Sequence, residues 1–265
     1  MTTATAVVLL VAAILTALRV PAFTKGRGRP LVLSGLLVIV AFTMITPAVY
    51  GALDTIIPGE NLPDPASKII LFVAVVLLGD QLAKGLDSPR LLRYISGLPG
   101  RIVFAGASAL LLVLFVAADV QASSPQLEIA VDEPVVAWYT AVTLMYLSYL
   151  SVLLLVAVVR SIGHTQFGDG REQLRAARID TRGRVLMAIG FALVPVRLVL
   201  TSLTFASPDT YQAAQFVPLG TLAFVTVGLA FIRVARRVAR RTNGVISFVE
   251  MLGRNSARTE DPWRD

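Results

Sequence analysis

A single arginine lies inside the most apolar stretch of this sequence, and its type and position suggest chemistry more than those of any other residue. Arg197 follows Pro195 by two residues within 185–205, a segment long enough to cross a bilayer as one helix. It lies about 18 Å from the inner end of that segment at the rise of an α-helix. A charge at this depth is costly, so we expect Arg197 to face protein or a water-filled cavity and to contact a ligand.

Asp80 and Gln81 are the nearest polar counterparts inside another apolar segment. Helical-rise arithmetic separates Asp80 from Arg197 by roughly 9 Å in depth, a gap that a long arginine side chain, water or Gln81 could bridge. Both residues are therefore candidates for ligand binding, with Asp80 as a relay or counter-charge. The alternatives are a structural pair between two helices and an Asp80 that reaches the inner headgroups.

Polar aromatic residues form stripes on two further segments. Tyr139, Thr143 and Tyr146 share one helical face because they are spaced four and seven residues apart. Tyr50 belongs to a similar stripe on an earlier segment. We predict that Tyr50, Tyr139 and Tyr146 line an outward-facing polar cavity with Arg197 at its floor. Ordinary hydrogen bonding between membrane helices is the alternative.

Seven apolar segments must position these residues. Hydrophobic residues make up 55% of the 265 residues and charged residues only 15%, whereas soluble domains are about a quarter charged. We therefore predict an all-α membrane protein with a seven-transmembrane-helix bundle over 1–232. The spans lie at about 4–22, 31–53, 68–86, 102–118, 134–159, 185–205 and 216–232.

The basic residues are sorted to one side of this bundle. Loops 19–30, 84–101 and 160–184 and the tail from Arg233 together hold 22 of the 24 lysines and arginines. The three intervening loops hold none and carry eight acidic residues. This bias predicts that the N-terminus is outside and the C-terminus is cytoplasmic. It also favours a retained first helix over a cleaved signal peptide.

The tail, 233–265, is predicted to be a basic amphipathic segment on the cytoplasmic membrane surface. Its arginines are expected to bind anionic lipids, with candidate residues Arg233, Arg236, Arg237, Arg240 and Arg241. Lys68, at the outer end of the third span, is expected to reach the lipid headgroups along its flexible stem.

Several functional classes are excluded by what the sequence lacks. It has no cysteine and one histidine, His164, and it contains no nucleotide-binding or hydrolase motif. We therefore predict no enzyme activity, no cofactor and no metal site. The seventh span has no lysine for retinal. Because the positive charge follows the topology, we expect no nucleic-acid partner.

The arginine-rich loop REQLRAARIDTRGR runs into the sixth span. With the N-out spans and the Ala-, Val- and Arg-rich character, it makes the chain similar to actinobacterial seven-helix integral membrane proteins described as candidate transporters. The resemblance implies a shared architecture and carries no site residue.

Three functions are compatible with these features. The first is a sensory, regulatory or signalling protein of the plasma membrane, with an outward polar cavity near Arg197 and a cytoplasmic protein partner at loop 160–184 and the tail. The second is a transporter of a small solute, with Arg197 contacting an anionic substrate. The third is a membrane assembly subunit that binds no ligand.

Overall fold

The structure of the protein is a computed structural model. Helices account for all the secondary structure in the described part of the chain. The structure describes residues 29–56, 61–118, 134–162, 171–204 and 220–239, with 217–218 and five helical residues between 10 and 17. Within these ranges the prediction of an all-helical protein is confirmed. The first predicted span, 4–22, lies mostly outside them, as do Arg240 and Arg241 of the tail.

Eight helices are described in the ranges that the structure covers, numbered here in chain order. They are α1 (Arg29–Met44), α2 (Pro47–Ile56), α3 (Pro63–Gly85), α4 (Pro89–Ile95), α5 (Leu98–Ala118), α6 (Pro134–Ile162) and α7 (Arg171–Thr204), and α8 covers 220–239. Four stretches of the described chain are long and apolar enough to cross a membrane: α3, α4 with α5, α6, and α7 as far as Ser202. Helices α1 and α2 make a fifth if the bent pair forms one span.

The predicted second span, 31–53, is broken in the structure. Helices α1 and α2 meet at an angle of 83° between Met44 and Pro47. A proline has no backbone N–H to donate to the residue four before it, here Thr43, and its ring crowds that carbonyl. The Thr43 carbonyl instead accepts from the backbone N–H of Thr46 at 3.0 Å and from its hydroxyl at 2.7 Å. Pro47 therefore redirects the chain.

Helix α3 begins at Pro63, five residues before the predicted start at Lys68. Proline is well suited to the first turn, where its missing N–H would be unsatisfied in any case, and Asp64 is favourable near the positive end of the helix dipole. The earlier start brings Asp64 and Lys68 onto the same helix, one turn apart. A span that starts at Lys68 would leave Asp64 in the preceding loop.

The predicted polar loop 160–184 is wrong over its second half. Residues 171–184 are helical and continue without interruption into the apolar stretch of α7. Arg184 fixes this extension, because its guanidinium donates to the Asp180 carboxylate and to the Ser161 carbonyl at the end of α6, both at 2.6 Å. Leucine, alanine and arginine are strong helix formers, which favours this outcome over a loop.

The core lies where α3, α6 and α7 meet α5 and α8. Helix α6 packs along α5 and α7, and α1 packs along α3. Buried side chains at its centre include Phe72, Leu111, Leu154, Met187 and Val225. The crossing of α7 and α8 is tight, since a methyl group on Gly183 would lie 2.8 Å from the Gly228 carbonyl oxygen. Small residues allow such close approach of membrane helices.

Candidate functional site

A buried ion pair forms at the first turn of α3. The Lys68 ammonium donates to the Asp64 carboxylate at 2.9 Å, and their side chains are only 10% and 6% exposed. The two residues lie one helical turn apart, where side chains on the same face meet. The prediction that Lys68 reaches the lipid headgroups is wrong, because Asp64 holds its ammonium inside the protein.

Tyr139 of α6 completes this pair from the facing helix. Its hydroxyl donates to the same Asp64 oxygen that accepts from Lys68, at 2.5 Å. The Lys68 ammonium also lies over the Tyr139 ring, 3.9 Å from the ring centroid. A cation over an aromatic face gains stabilisation that increases when the pair is shielded from water. Tyr139 therefore contacts both charges and couples α6 to α3.

Tyr50 and Asn61 extend the polar group to α2. The Tyr50 hydroxyl donates to the Asn61 side-chain oxygen at 2.8 Å, and the Asn61 carbonyl accepts from the Asp64 N–H at 3.0 Å. Asn61 is buried and has a φ of 61°, a left-handed conformation that asparagine tolerates better than most residues. We name Tyr50, Asn61, Asp64, Lys68 and Tyr139 the buried polar cluster.

The buried polar cluster combines an acid, a base and two phenols from three helices. Its charges balance, so it can persist in a medium of low dielectric constant while each charge keeps a partner. Within the described residues, no group of three or more His, Cys, Asp or Glu could hold a metal ion.

The structure separates the predicted site residues into three layers. Arg184 of α7 contacts Ser161 of α6, so distances along the two helices from this contact can be compared as depths. Tyr50 and Tyr139 belong to the buried polar cluster, and Tyr139 lies roughly 33 Å along α6 from Ser161. Tyr146 lies roughly 10 Å nearer to Ser161, packed on Phe72 with ring centroids 4.4 Å apart. Arg197, half-buried on α7, is roughly 20 Å from Arg184, at a depth similar to that of Tyr146.

Asp80 and Gln81 form the third layer, towards the end of α3. Asp80 accepts from Lys84 at 2.6 Å, from Ser96 at 2.9 Å and from Gln81 at 3.3 Å. The carboxylate is therefore occupied by its own helix and by the segment after α4, and Arg197 is not among these partners. This layer links α3 to the turn before α5.

Sequence reasoning found the two tyrosines of the buried polar cluster and missed its charged centre. A signal was present, since an acidic residue followed four positions later by a lysine supports a helix, and Pro63 marks a helix start. Asn61 carries no comparable signal, because its role depends on a backbone turn between α2 and α3. Comparison with protein-family models, curated proteins and solved structures finds no match.

Proposed function

We propose that this chain is a seven-span sensory or regulatory protein of the plasma membrane, with its N-terminus outside and the buried polar cluster at the outer end. The observation that carries the proposal is the Asp64–Lys68 pair beneath Tyr139. A buried ion pair is rarely the most stable way to fill space, since apolar residues of similar volume often serve as well or better. Ionisable groups inside membrane proteins therefore favour a functional reading.

The arrangement of the layers supports signalling across the bundle. The buried polar cluster joins α2, α3 and α6 at one end, and α3 and α6 continue through Tyr146 and Phe72 to the opposite end. There Asp80 is bonded to Ser96, and Ser161 of α6 to Arg184 of α7. A change in protonation or ligation at Asp64 would act on helices that also hold the cytoplasmic end. Arg197 remains a candidate contact for an anionic ligand at middle depth.

Coupling between the two ends tests this function directly. The chain has no cysteine, so a single cysteine introduced at Leu174, an exposed position on α7, can report on the cytoplasmic end. We expect Asp64→Asn to change its labelling rate in purified protein by threefold or more, since states that differ in the cluster would differ there too. The control is Trp138→Phe, next to Tyr139 but exposed. An unchanged rate in folded Asp64→Asn would refute sensing and favour an assembly subunit.

The orientation has its own test in intact cells. A cysteine at Thr55, exposed on α2, should react with a membrane-impermeant maleimide added outside. A cysteine at Leu174 should react only after the cells are opened. Labelling of the Leu174→Cys variant from outside would reverse the topology and place the buried polar cluster at the cytoplasmic end.

A small-solute transporter is the second candidate, and the broken α1–α2 span favours it. Discontinuous helices border the binding sites of many secondary transporters, and α2 supplies Tyr50 to the buried polar cluster. A proton-coupled transporter would acidify pyranine-loaded proteoliposomes under a solute gradient, with this chain as their only protein. Movement of protons that Asp64→Asn abolishes would replace the sensory proposal with transport.

A further inference from the structure

The cytoplasmic extension of α7 carries a row of arginines on one face. Arg171, Arg175, Arg178 and Arg182 are all exposed, and their spacings of four, three and four residues place them on one side of an α-helix. We name these four residues the arginine stripe. Ala176, Asp180 and Gly183 lie on the opposite side and are buried. The stripe therefore faces away from the rest of the bundle.

The charge on this face is almost entirely of one sign. Exposed helices generally intersperse acidic and basic residues. Between 171 and 185 the acidic residues are Glu172 and Asp180, and Asp180 is buried against Arg184. Leu174 lies beside the stripe with 51% of its surface exposed. The face thus combines a positive row with an apolar contact point.

The reach of the stripe distinguishes a protein partner from a lipid surface. The candidate span from Arg171 to Ser202 contains 32 residues, or roughly 48 Å of helix against a hydrocarbon thickness of about 30 Å. Arg182 lies roughly 5 Å and Arg171 roughly 21 Å along the axis from Val185, where the apolar stretch begins. Physiological salt screens charges beyond about 8 Å. The outer arginines therefore project past the headgroups into water.

We propose that the arginine stripe docks an acidic amphipathic segment of a cytoplasmic protein. Carboxylates spaced along one face of that segment would pair with the guanidiniums, and an apolar side chain would cover Leu174. Arginine favours such contacts because its planar fork binds carboxylates in a bidentate manner. The proposal rests on the proposed function for the cytoplasmic location of this end, and it adds the chemistry of the partner.

The test uses the full chain in nanodiscs of phosphatidylcholine alone, so that lipid charge does not contribute. The probe is a fluorescein-labelled peptide of about 20 residues, long enough to lie along the stripe as a helix, with glutamates on one face and leucines at its edge. The same peptide with glutamine in place of glutamate is the control ligand. We expect the acidic peptide to bind and the glutamine peptide to fail.

Two triple variants remove equal charge from different helices. Arg171→Gln with Arg175→Gln and Arg178→Gln should weaken binding of the acidic peptide by about tenfold or more, the combined effect of several modest exposed pairs. The matched variant replaces Arg233, Arg236 and Arg237 of α8, which are also exposed, and should weaken binding less than about threefold. Leu174→Ala, which alters no charge, should also weaken peptide binding.

Three results would overturn the proposal. One is an equal loss of peptide binding in both triple variants, which would indicate that the peptide is attracted by net charge and not by a docking face. Another is failure of wild-type protein to bind the acidic peptide. The third is a stripe variant that keeps peptide binding and loses association with phosphatidylglycerol vesicles, which would assign the stripe to lipid. Because binding needs no signal from Asp64, this test and the coupling test fail independently.

Discussion

Replacing Lys68 with methionine should destabilise the protein far more than the same change at Lys84. Both lysines pair with an aspartate four residues earlier on α3, at 2.9 Å and 2.6 Å. They differ in surroundings, since the Lys68 side chain is 10% exposed and the Lys84 side chain 57% exposed. The helix, the residue types and the spacing are therefore the same in both pairs, which differ in burial and in the other partners of each aspartate.

The expected magnitude follows from what each change leaves behind. Lys68→Met strands the Asp64 carboxylate inside the protein with the Tyr139 hydroxyl as its remaining side-chain donor. Removing one partner of a buried ion pair costs about 3–5 kcal/mol. Lys84→Met removes an exposed partner from Asp80, which keeps Ser96 and Gln81, and should cost about 0.2–1 kcal/mol.

Thermal unfolding in detergent, followed by circular dichroism, measures the difference. At about 2–4 °C per kcal/mol, Lys68→Met should lower the midpoint by about 6 °C or more, and Lys84→Met by at most about 4 °C. Combining Lys68→Met with Asp64→Leu should recover much of the loss, because an apolar pair of similar volume carries no stranded charge. Equal midpoints for Lys68→Met and Lys84→Met would refute the reasoning, since they would mean that water reaches Asp64.

Two further pairs of variants test the packing of α7. Gly183→Ala should lower the free energy of unfolding by about 1–3 kcal/mol, because the added methyl group overpacks against the Gly228 carbonyl. The control, Gly106→Ala, has nothing within 4 Å of the added methyl group and should be neutral in the same unfolding assay. Equal effects of the two changes would argue against the close crossing. Arg184→Gln should cost about 3 kcal/mol by stranding the buried Asp180, while Arg182→Gln, on the exposed face, should stay within about 0.5 kcal/mol. A stable Arg184→Gln protein would show that the extension of α7 does not depend on its contacts with Asp180 and Ser161.

Four apolar segments, or five with the bent α1–α2 pair, could be located from the sequence, because a segment inside a bilayer must satisfy its own backbone hydrogen bonds and a helix does so. The burial of Tyr139, Thr143 and Tyr146 on one face also follows from their spacing. Helix ends were less predictable. Hydropathy marks where apolar residues begin, yet α3 starts at Pro63 and α7 at Arg171, in polar sequence that local propensity and pairing keep helical.

The partner of Asp80 was left open by the sequence for a related reason. A comparison of depths suggested that Asp80 could reach Arg197 on another helix, whereas Asp80 is bonded to Lys84 one turn away. Two residues at similar depths on separate helices need not meet, because depth does not determine how each helix is rotated or how far apart the helices lie. Spacing within one helix fixes both, so a pair four residues apart is the stronger prediction whenever the sequence offers it.

All three ion pairs in the described ranges follow that rule, with an aspartate four residues before its basic partner: Asp64–Lys68, Asp80–Lys84 and Asp180–Arg184. In each pair the two opposite charges lie one turn apart on the same helix, so they neutralise each other without a partner from another helix. The sequence places no acidic residue within one turn of Arg197. Its charge must therefore be accommodated by groups other than a carboxylate of its own helix, and this separates Arg197 from the locally neutralised pairs. The buried polar cluster and Arg197 thus represent two kinds of charge within apolar helices, one balanced by a residue of the same helix and one accommodated by groups outside its own helical turn.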